Sequence, residues 1–468
     1  MDNSISQKFT FSSLIKFTIP SIVMLMFMSL YTIVDGVFVS RFVNTDALSS
    51  VNIVYPFINI VVAFGVMLGS GGSAVIAKKL GEGKEKEARE NFTLIVLIGF
   101  ILGIIIALIG LVFAKEILTL LGATQELYKY CIDYFLGCLI FIPAFIVSLA
   151  FQFLTITAGK PNIGLIITLL GGFANMILDY VFIVKMNMGI LGAALATGMG
   201  VLIPAVFGAI YFAKKRSALY FVKPKLDVEA IVNTCSNGSS EMVTNLSTGI
   251  TTMLFNLAMM KYLGSDGVAA ITIVLYGQFL INSAYIGFSS GVAPIISYNY
   301  GNGDKEELKK IISYSFRFIL ISSVVLFAIS LLGASSIVGI FADKGSSVFE
   351  IGYNGFMLFS TSFLVTGINI FASAKFTAFS NGKVSATISF LRTFVFTVLG
   401  IILLPKVLGV NGVWLSVSVA EVLTIVVSFG FITKYKDIYG YGKESKTMKP
   451  SYSGVYNSSD IKGCNSKR

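Results

Sequence analysis

A chain of 468 residues with 55% apolar side chains, 13% charged ones and a mean hydropathy of +0.83 cannot clothe itself as an ordinary soluble protein, since soluble proteins carry about 25% charged residues. The formal net charge of +11 would suit nucleic acid, but the lysines and arginines lie between apolar runs and in the C-terminal stretch, where they read as topology signals and call for no nucleic-acid partner. There is no histidine, and Cys131, Cys138, Cys235 and Cys464 lack CxxC spacing, which argues against a zinc centre, a structural disulfide and imidazole proton chemistry.

In chain order, residues 1–13 are polar and read as a cytoplasmic N-terminus without a cleavable leader. Apolar runs long enough to cross about 30 Å of hydrocarbon follow near 14–40, 51–78, 92–114, 130–157, 163–185 and 190–213. A basic linker, 214–231, leads to six more, near 232–261, 268–299, 312–335, 352–379, 384–404 and 410–433. The remainder, 434–468, is rich in Ser, Lys, Gly and Asn and reads as a disordered cytoplasmic tail. Twelve spans make this an all-α, multi-pass membrane protein. Loops after the even-numbered spans carry Lys78, Lys79, Arg89, Lys160, Lys214, Arg216, Lys305 and Lys383 among others, while the opposite loops, with Arg41, Lys115 and Lys185, carry about half as many. The positive-inside rule therefore puts both termini in the cytoplasm.

The two sets of six are repeats. "FVNTDALSSVNIV" at 42–54 aligns without gaps on "YLGSDGVAAITIV" at 262–274, and "GEGKEKE" at 81–87 falls on "GNGDKEE" at 301–307, with one offset of 220. "GILGAAL" at 189–195 faces "GVNGVWL" at 409–415 late in each half. Six is even, so the halves share one orientation, as in transporters built from parallel repeats.

A charge at mid-bilayer costs about 2.5 to 3.5 kcal/mol, so ionisable residues there are functional candidates. They are Asp35, Asp133 and Asp179 in the first half and Glu241, Lys375, Arg392 and Glu421 in the second. In "NMILDYVFI" at 175–183, Asn175 and Asp179 stand four apart and share one helix face, where they can converge on one proton or small cation. Two carboxylates brought close together cannot both carry charge cheaply. The same acids would also serve as hydrogen-bonding glue between helices, and Asp133 suits a solvated helix end. Position 255, which the offset pairs with Asp35, is Phe, so the repeat itself does not require that acid. Pro20 interrupts the backbone hydrogen bonding of the first span and can act as a hinge. Met24, Met26, Met28, Tyr31, Tyr134, Phe151 and Gln152 offer soft and aromatic surface, suited either to flat or cationic ligands or to helix packing. "GSGG" at 69–72 and "GEGK" at 81–84 do not continue as a phosphate loop. Without an ATPase segment the energy source is an ion gradient, and no cofactor is called for.

On "IPSIVMLMFMSLYTIVDGVFVSRF" at 19–42, "NMILDYVFI", "MGILGAALAT" at 188–197 and the doubled six-helix plan, the chain resembles the prokaryotic multidrug and toxic compound extrusion (MATE) transporters over roughly residues 10–435. The resemblance implies two pseudo-symmetric six-helix lobes, 14–213 and 232–433, forming a V whose cavity opens alternately to each side of a bacterial cell membrane. It implies a cation site, for H+ or Na+, on Asp35, Asn175, Asp179, Thr197 and Tyr134, with Na+ held by the first four. It also implies a bend at Pro20 and a second candidate cation site at Glu241; the soft and aromatic Met28, Tyr31, Phe151 and Gln152 are the candidates for the substrate cavity. Helix 10 contains no Asp or Glu, a departure that weakens the second site. The expected activity is antiport: export of amphipathic, often cationic drugs by a monomer that is not an enzyme. A lipid-linked oligosaccharide flippase is the alternative, to be favoured by a positively charged cavity. A membrane-embedded transferase would need a clustered catalytic set.

Overall fold

The computed structural model describes residues 4–43, 45–215 and 217–441. Arg216, Cys464 and everything beyond Tyr441 lie outside the described residues, as does the side chain of Arg41. Among the described residues, ten helices are long and apolar enough to cross a membrane as they stand. The pair Tyr128–Leu139 and Ile142–Thr157, bent by 58° at its break, adds one more span. Gly264, with φ 65° and ψ −151°, divides the 75-residue run Val228–Asn302 into two; that backbone conformation is open to glycine and strained for other residues. Twelve spans result, in agreement with the sequence.

We number them α1 (Phe11–Phe42), α2 (Thr45–Gly81), α3 (Glu85–Val112), α4 (the bent pair), α5 (Pro161–Asp179, continued by a π-helical turn Tyr180–Lys185) and α6 (Gly189–Ala213). The second half holds α7 (228–263), α8 (265–302), α9 (Lys305–Gly339), α10 (Ser347–Ala378), α11 (Gly382–Leu408) and α12 (Val410–Tyr435). Short polar side chains start several of them. Thr10 and Ser13 form a reciprocal capping box at α1, and Asp227, Asp304 and Ser346 accept from the free N–H groups that open α7, α9 and α10. Such caps satisfy donors that a helix leaves unpaired.

The halves meet where α1 and α2 cross α8 and α7. A β-carbon on Gly81 would lie 2.0 Å from the Tyr298 carbonyl oxygen, and one on Gly301 would lie 2.2 Å from that of Lys78. Positions 78 and 81 become 298 and 301 on adding 220, so this is one contact made twice about a pseudo-twofold axis. Only glycine lets two backbones approach so closely, the usual device of tight membrane-helix crossings. Met67 of α2 meets Gly238 of α7 in the same way, as Ile22 of α1 meets Gly287 of α8.

This packed end also carries the termini of the described chain. Ser4 Oγ donates to the Gly159 carbonyl in the first half, the Phe9 N–H donates to Glu307 Oε1 at 2.7 Å in the second, and Ile5 and Phe9 between them are fully buried. The polar N-terminal segment is thus a strap across both halves. The tail also departs from its reading as disordered from 434 onward. After α12 the chain turns back, Tyr439 stacks on Phe379 at 4.3 Å and Asn381 donates to its hydroxyl at 2.8 Å; two tyrosines in a polar stretch provide the apolar anchor. The linker is held as well, with Val222 N–H donating to Thr93 Oγ1 at 3.1 Å and Arg89 Nε to the Ala218 carbonyl at 3.0 Å.

Candidate functional site

In the first half, α1, α5 and α6 bring four of the expected residues together. Asp35 reaches the side chains of Asp179, Asn175 and Thr197. Asp179 and Asn175 are fully or almost fully buried, while Asp35 and Thr197 are half-buried. The i, i+4 spacing puts Asn175 and Asp179 one above the other on α5, and Gly200 lets α6 press against Asn175, where a β-carbon would come within 2.8 Å of Asn175 Cβ. The four side chains come within hydrogen-bonding reach but leave several oxygens unsatisfied among the described residues. Asp35 Oδ1, Asn175 Oδ1, both carboxylate oxygens of Asp179 and Thr197 Oγ1 are buried and find no hydrogen-bonding partner. Two ionised carboxylates cannot donate to each other, and no lysine or arginine pairs with either one among the described residues.

An oxygen-lined cage with excess negative charge is chemically incomplete. Leaving a charge buried and unpaired costs several kcal/mol, and the cheapest relief is a proton on a carboxylate or a small hard cation bound by oxygens. The donor set, two carboxylates, an amide and a hydroxyl, suits either. Tyr134 of α4 stands near both acids, with Cys138 one turn on beside its hydroxyl; Tyr31 of α1 lies beside Asp35. Sequence reasoning passed over Cys138, although its i, i+4 spacing from Tyr134 was the available signal. The π-helical turn begins at Tyr180, directly after Asp179, an irregularity that often accompanies functional positions.

The second half treats its buried acid differently. Glu421 of α12 accepts from Asn369 Nδ2 at 2.7 Å and from Arg392 Nη1 at 3.3 Å, and Asn369 Oδ1 in turn accepts from Ser428 at 2.9 Å. Arg392 is the second residue of another π-helical segment, Leu391–Phe396, and Thr397 Oγ1 donates to its carbonyl at 2.7 Å. Helix 10 begins earlier than 352 and so includes one acid, Glu350 in its first turn; deeper along it, Asn369 is tied to a carboxylate supplied by α12. Asn369 and Ser428 were missed because an amide and a hydroxyl carry no charge to flag them. Lys375 is fully buried beneath the Tyr441 ring, with Nζ 4.6 Å from its centroid, and Asp133 sits half-buried at the start of α4.

Between the halves lies a small cavity lined by Ser70 and Ser73 of α2, Phe153 of α4, Glu241 of α7, Ser289 of α8 and Thr377 of α10, together with apolar neighbours. Glu241 is therefore apart from the Asp35 cage. Other expected cavity residues lie elsewhere. Phe151 is 2% exposed and packs on Phe212 at 5.4 Å in a first-half aromatic cluster; along α4 it is Phe153 that faces the cavity. Gln152 is buried outside the lining and Met28 is half-buried on α1. Pro20 is buried at the level where α1 crosses α8. At 1.5 Å per residue it stands roughly 22 Å along α1 from Asp35, so any bend there acts on the inter-half crossing.

The MatE family pattern matches this chain twice, over residues 20–181 and 242–403. The chain belongs to the MatE family. This MatE protein is 26% identical over 421 residues to the multidrug export protein MepA of Staphylococcus haemolyticus, covering 88% of its own length and 90% of that relative. Its fold is that of an outward-facing multidrug resistance MATE transporter of the MOP superfamily (TM-score 0.86, 21% identity, 92% of this chain and 96% of that one). It superposes equally on a MATE in the straight conformation, with the same TM-score, identity and coverage. Membership places it among membrane transporters, not enzymes.

Proposed function

We propose that this protein is a secondary active exporter of amphipathic, often cationic drugs, driven by inward flow of H+ or Na+ through the Asp35 cage. The observation that carries the reading is the set of buried oxygens on Asp35, Asn175, Asp179 and Thr197 without a partner; such a cage binds a cation strongly in one conformation and must bind it less well in the other to do work. Tyr134 borders the site and Tyr31 closes it on the α1 side. Bending of α1 near Pro20 transmits occupancy to the crossing with α8, and the small cavity between the halves, at Glu241, opens to receive the exported cation. Multidrug export by the MepA relatives supports the substrate class. Basic loops and both termini face the cytoplasm in this reading, and one chain, with two lobes around one path, suffices as the working unit.

The flippase alternative calls for basic residues around a pyrophosphate. The lining between the halves has Glu241 and no lysine or arginine; Lys375 lies under Tyr441 and Arg392 is paired with Glu421. These placements favour export of cations.

The test is efflux of a fluorescent cationic dye from vesicles, with proton and sodium gradients imposed separately, comparing wild type with Asp35→Asn and Asp179→Asn. Transport under one gradient alone, lost in both variants, is expected and names the ion. Dye movement indifferent to both substitutions would sink the cage as the coupling site.

A further inference from the structure

Arg392 is held by one arm only. Its Nη1 donates to Glu421, whose other oxygen is taken by Asn369, while its Nε is buried with no acceptor among the described residues; the residue as a whole is 8% exposed. A buried guanidinium N–H without a partner is a standing drive toward a second acceptor. The helix that carries Arg392 packs on α7, which carries Glu241: a β-carbon on Gly382, at the start of α11, would lie 2.0 Å from the Ser236 carbonyl oxygen, and Glu241 is a second carboxylate within electrostatic reach of the guanidinium. Glu241 is also the acid that lines the cavity between the halves.

A ladder of buried hydroxyls fixes these two residues in relation to each other. Ser240, next to Glu241, meets Thr377 at 3.3 Å, Thr377 meets Ser385 at 2.7 Å, Ser385 meets Ser373 at 2.8 Å and Ser373 meets Ser389 at 2.9 Å, three residues before Arg392. The ladder clamps α7, α10 and α11, so the guanidinium and the cavity acid are held on one rigid frame. One cation thus shares a frame with two acids, Glu421, which it pairs with, and Glu241, which lines the cavity between the halves.

We propose that Arg392 is an internal counter-ion that competes with the exported cation for Glu241. In the empty cavity the guanidinium charge is shared between Glu421 and Glu241. An arriving organic cation takes over Glu241 and leaves Arg392 to Glu421; when the cavity reshapes, Arg392 returns to Glu241 and lowers its hold on the cargo. The residue thereby sets cation affinity without touching the cargo, a positioning role that rests on the export reading above.

The test is binding of tetraphenylphosphonium, a lipophilic monovalent cation, to the purified full-length protein, with triphenylphosphine oxide as a neutral ligand of similar shape. Glu241→Gln is expected to abolish cation binding, which establishes the cavity. Arg392→Gln is expected to tighten it about fivefold or more, whereas Glu421→Gln, which frees the guanidinium for Glu241, is expected to weaken it about as much; neutral-ligand binding should move in neither. A merely structural ion pair would shift both variants in the same direction for both ligands, and that result overturns the proposal while leaving export standing. Should either single variant fold poorly, the Arg392→Gln/Glu421→Gln double variant leaves no unpaired charge from this pair and is expected to keep the tighter binding. Binding equal to wild type in that double variant also overturns the proposal. Indifference of the cation to Glu241→Gln removes the cavity reading and this inference together.

Discussion

Each half of the molecule buries carboxylates within its own helices, and the two halves handle them in opposite ways. In the second half Glu421 has an arginine, an asparagine and, behind them, a serine, so its charge is answered inside the protein. In the first half Asp35 and Asp179 have each other, an amide and a hydroxyl, and several of their oxygens have nothing. The shared architecture shows that the unanswered charge is no requirement of the fold. In the export reading proposed above, that open charge is where the coupling ion binds, and both sites adjoin a π-helical turn where the regular helix gives way.

The sharpest way to break that contrast is to give the first half its own cation. Thr197→Lys places an ammonium beside Asp35, and gradient-driven dye efflux should fall about five- to 150-fold, the span of typical coupling free energies. An unchanged initial rate would mean that the cage does not couple. The converse comparison uses stability. Arg392→Gln leaves Glu421 buried and uncompensated and should cost about 3 to 5 kcal/mol, read as a lower unfolding midpoint in detergent. Asp179→Asn removes one of two like charges and should leave the midpoint unchanged or raise it. Equal losses in both variants would erase the distinction between a paired and an unpaired site.

The crossing of the halves offers a test of symmetry. Gly81→Val and Gly301→Val each drive a side chain into a carbonyl of the other half, an overpacking worth about 1 to 3 kcal/mol. Spin labels at Lys86 and Glu306, equivalent and exposed positions of the repeat, should move apart by a similar amount in both variants. A response in only one would show that the pseudo-twofold contact is not energetically symmetric.

The smallest expected effect is at Asp227. The Ala230 N–H and then Lys79, at 3.0 Å, hold its carboxyl below the usual carboxylate range. A native value below the unfolded one stabilises the fold above the unfolded value, and that contribution fades as pH falls through the native value. Asp227→Asn should therefore cost about 1 kcal/mol or less near neutrality. The gap to wild type in unfolding midpoint should narrow as pH falls below the ordinary aspartate value; a gap that widened in acid would contradict the assignment.

Much of the candidate site was legible in one dimension. Asp35 interrupts an apolar run, and the Asn175 to Asp179 spacing sets two polar groups on one face of a helix. What spacing does not convey is company. Phe151, Gln152 and Phe153 look equally suited to a cavity, yet α4 turns Phe151 into an aromatic core and Phe153 toward Glu241. The tail looked unstructured because its composition is polar, and two tyrosines were enough to fold its first turn back onto α9, α10 and α12.

By itself the amino-acid sequence determined that the protein lives in a membrane, crosses it twelve times and consists of one six-helix plan used twice, because each of these follows from local apolar length and from a repeat at a single offset. Which acids are answered and which are left open was decided only by tertiary structure. A charge is paired by whatever helix packs beside it, and those partners, 144 residues apart for Asp35 and Asp179 and 29 for Arg392 and Glu421, are selected by helix crossings that no single span encodes.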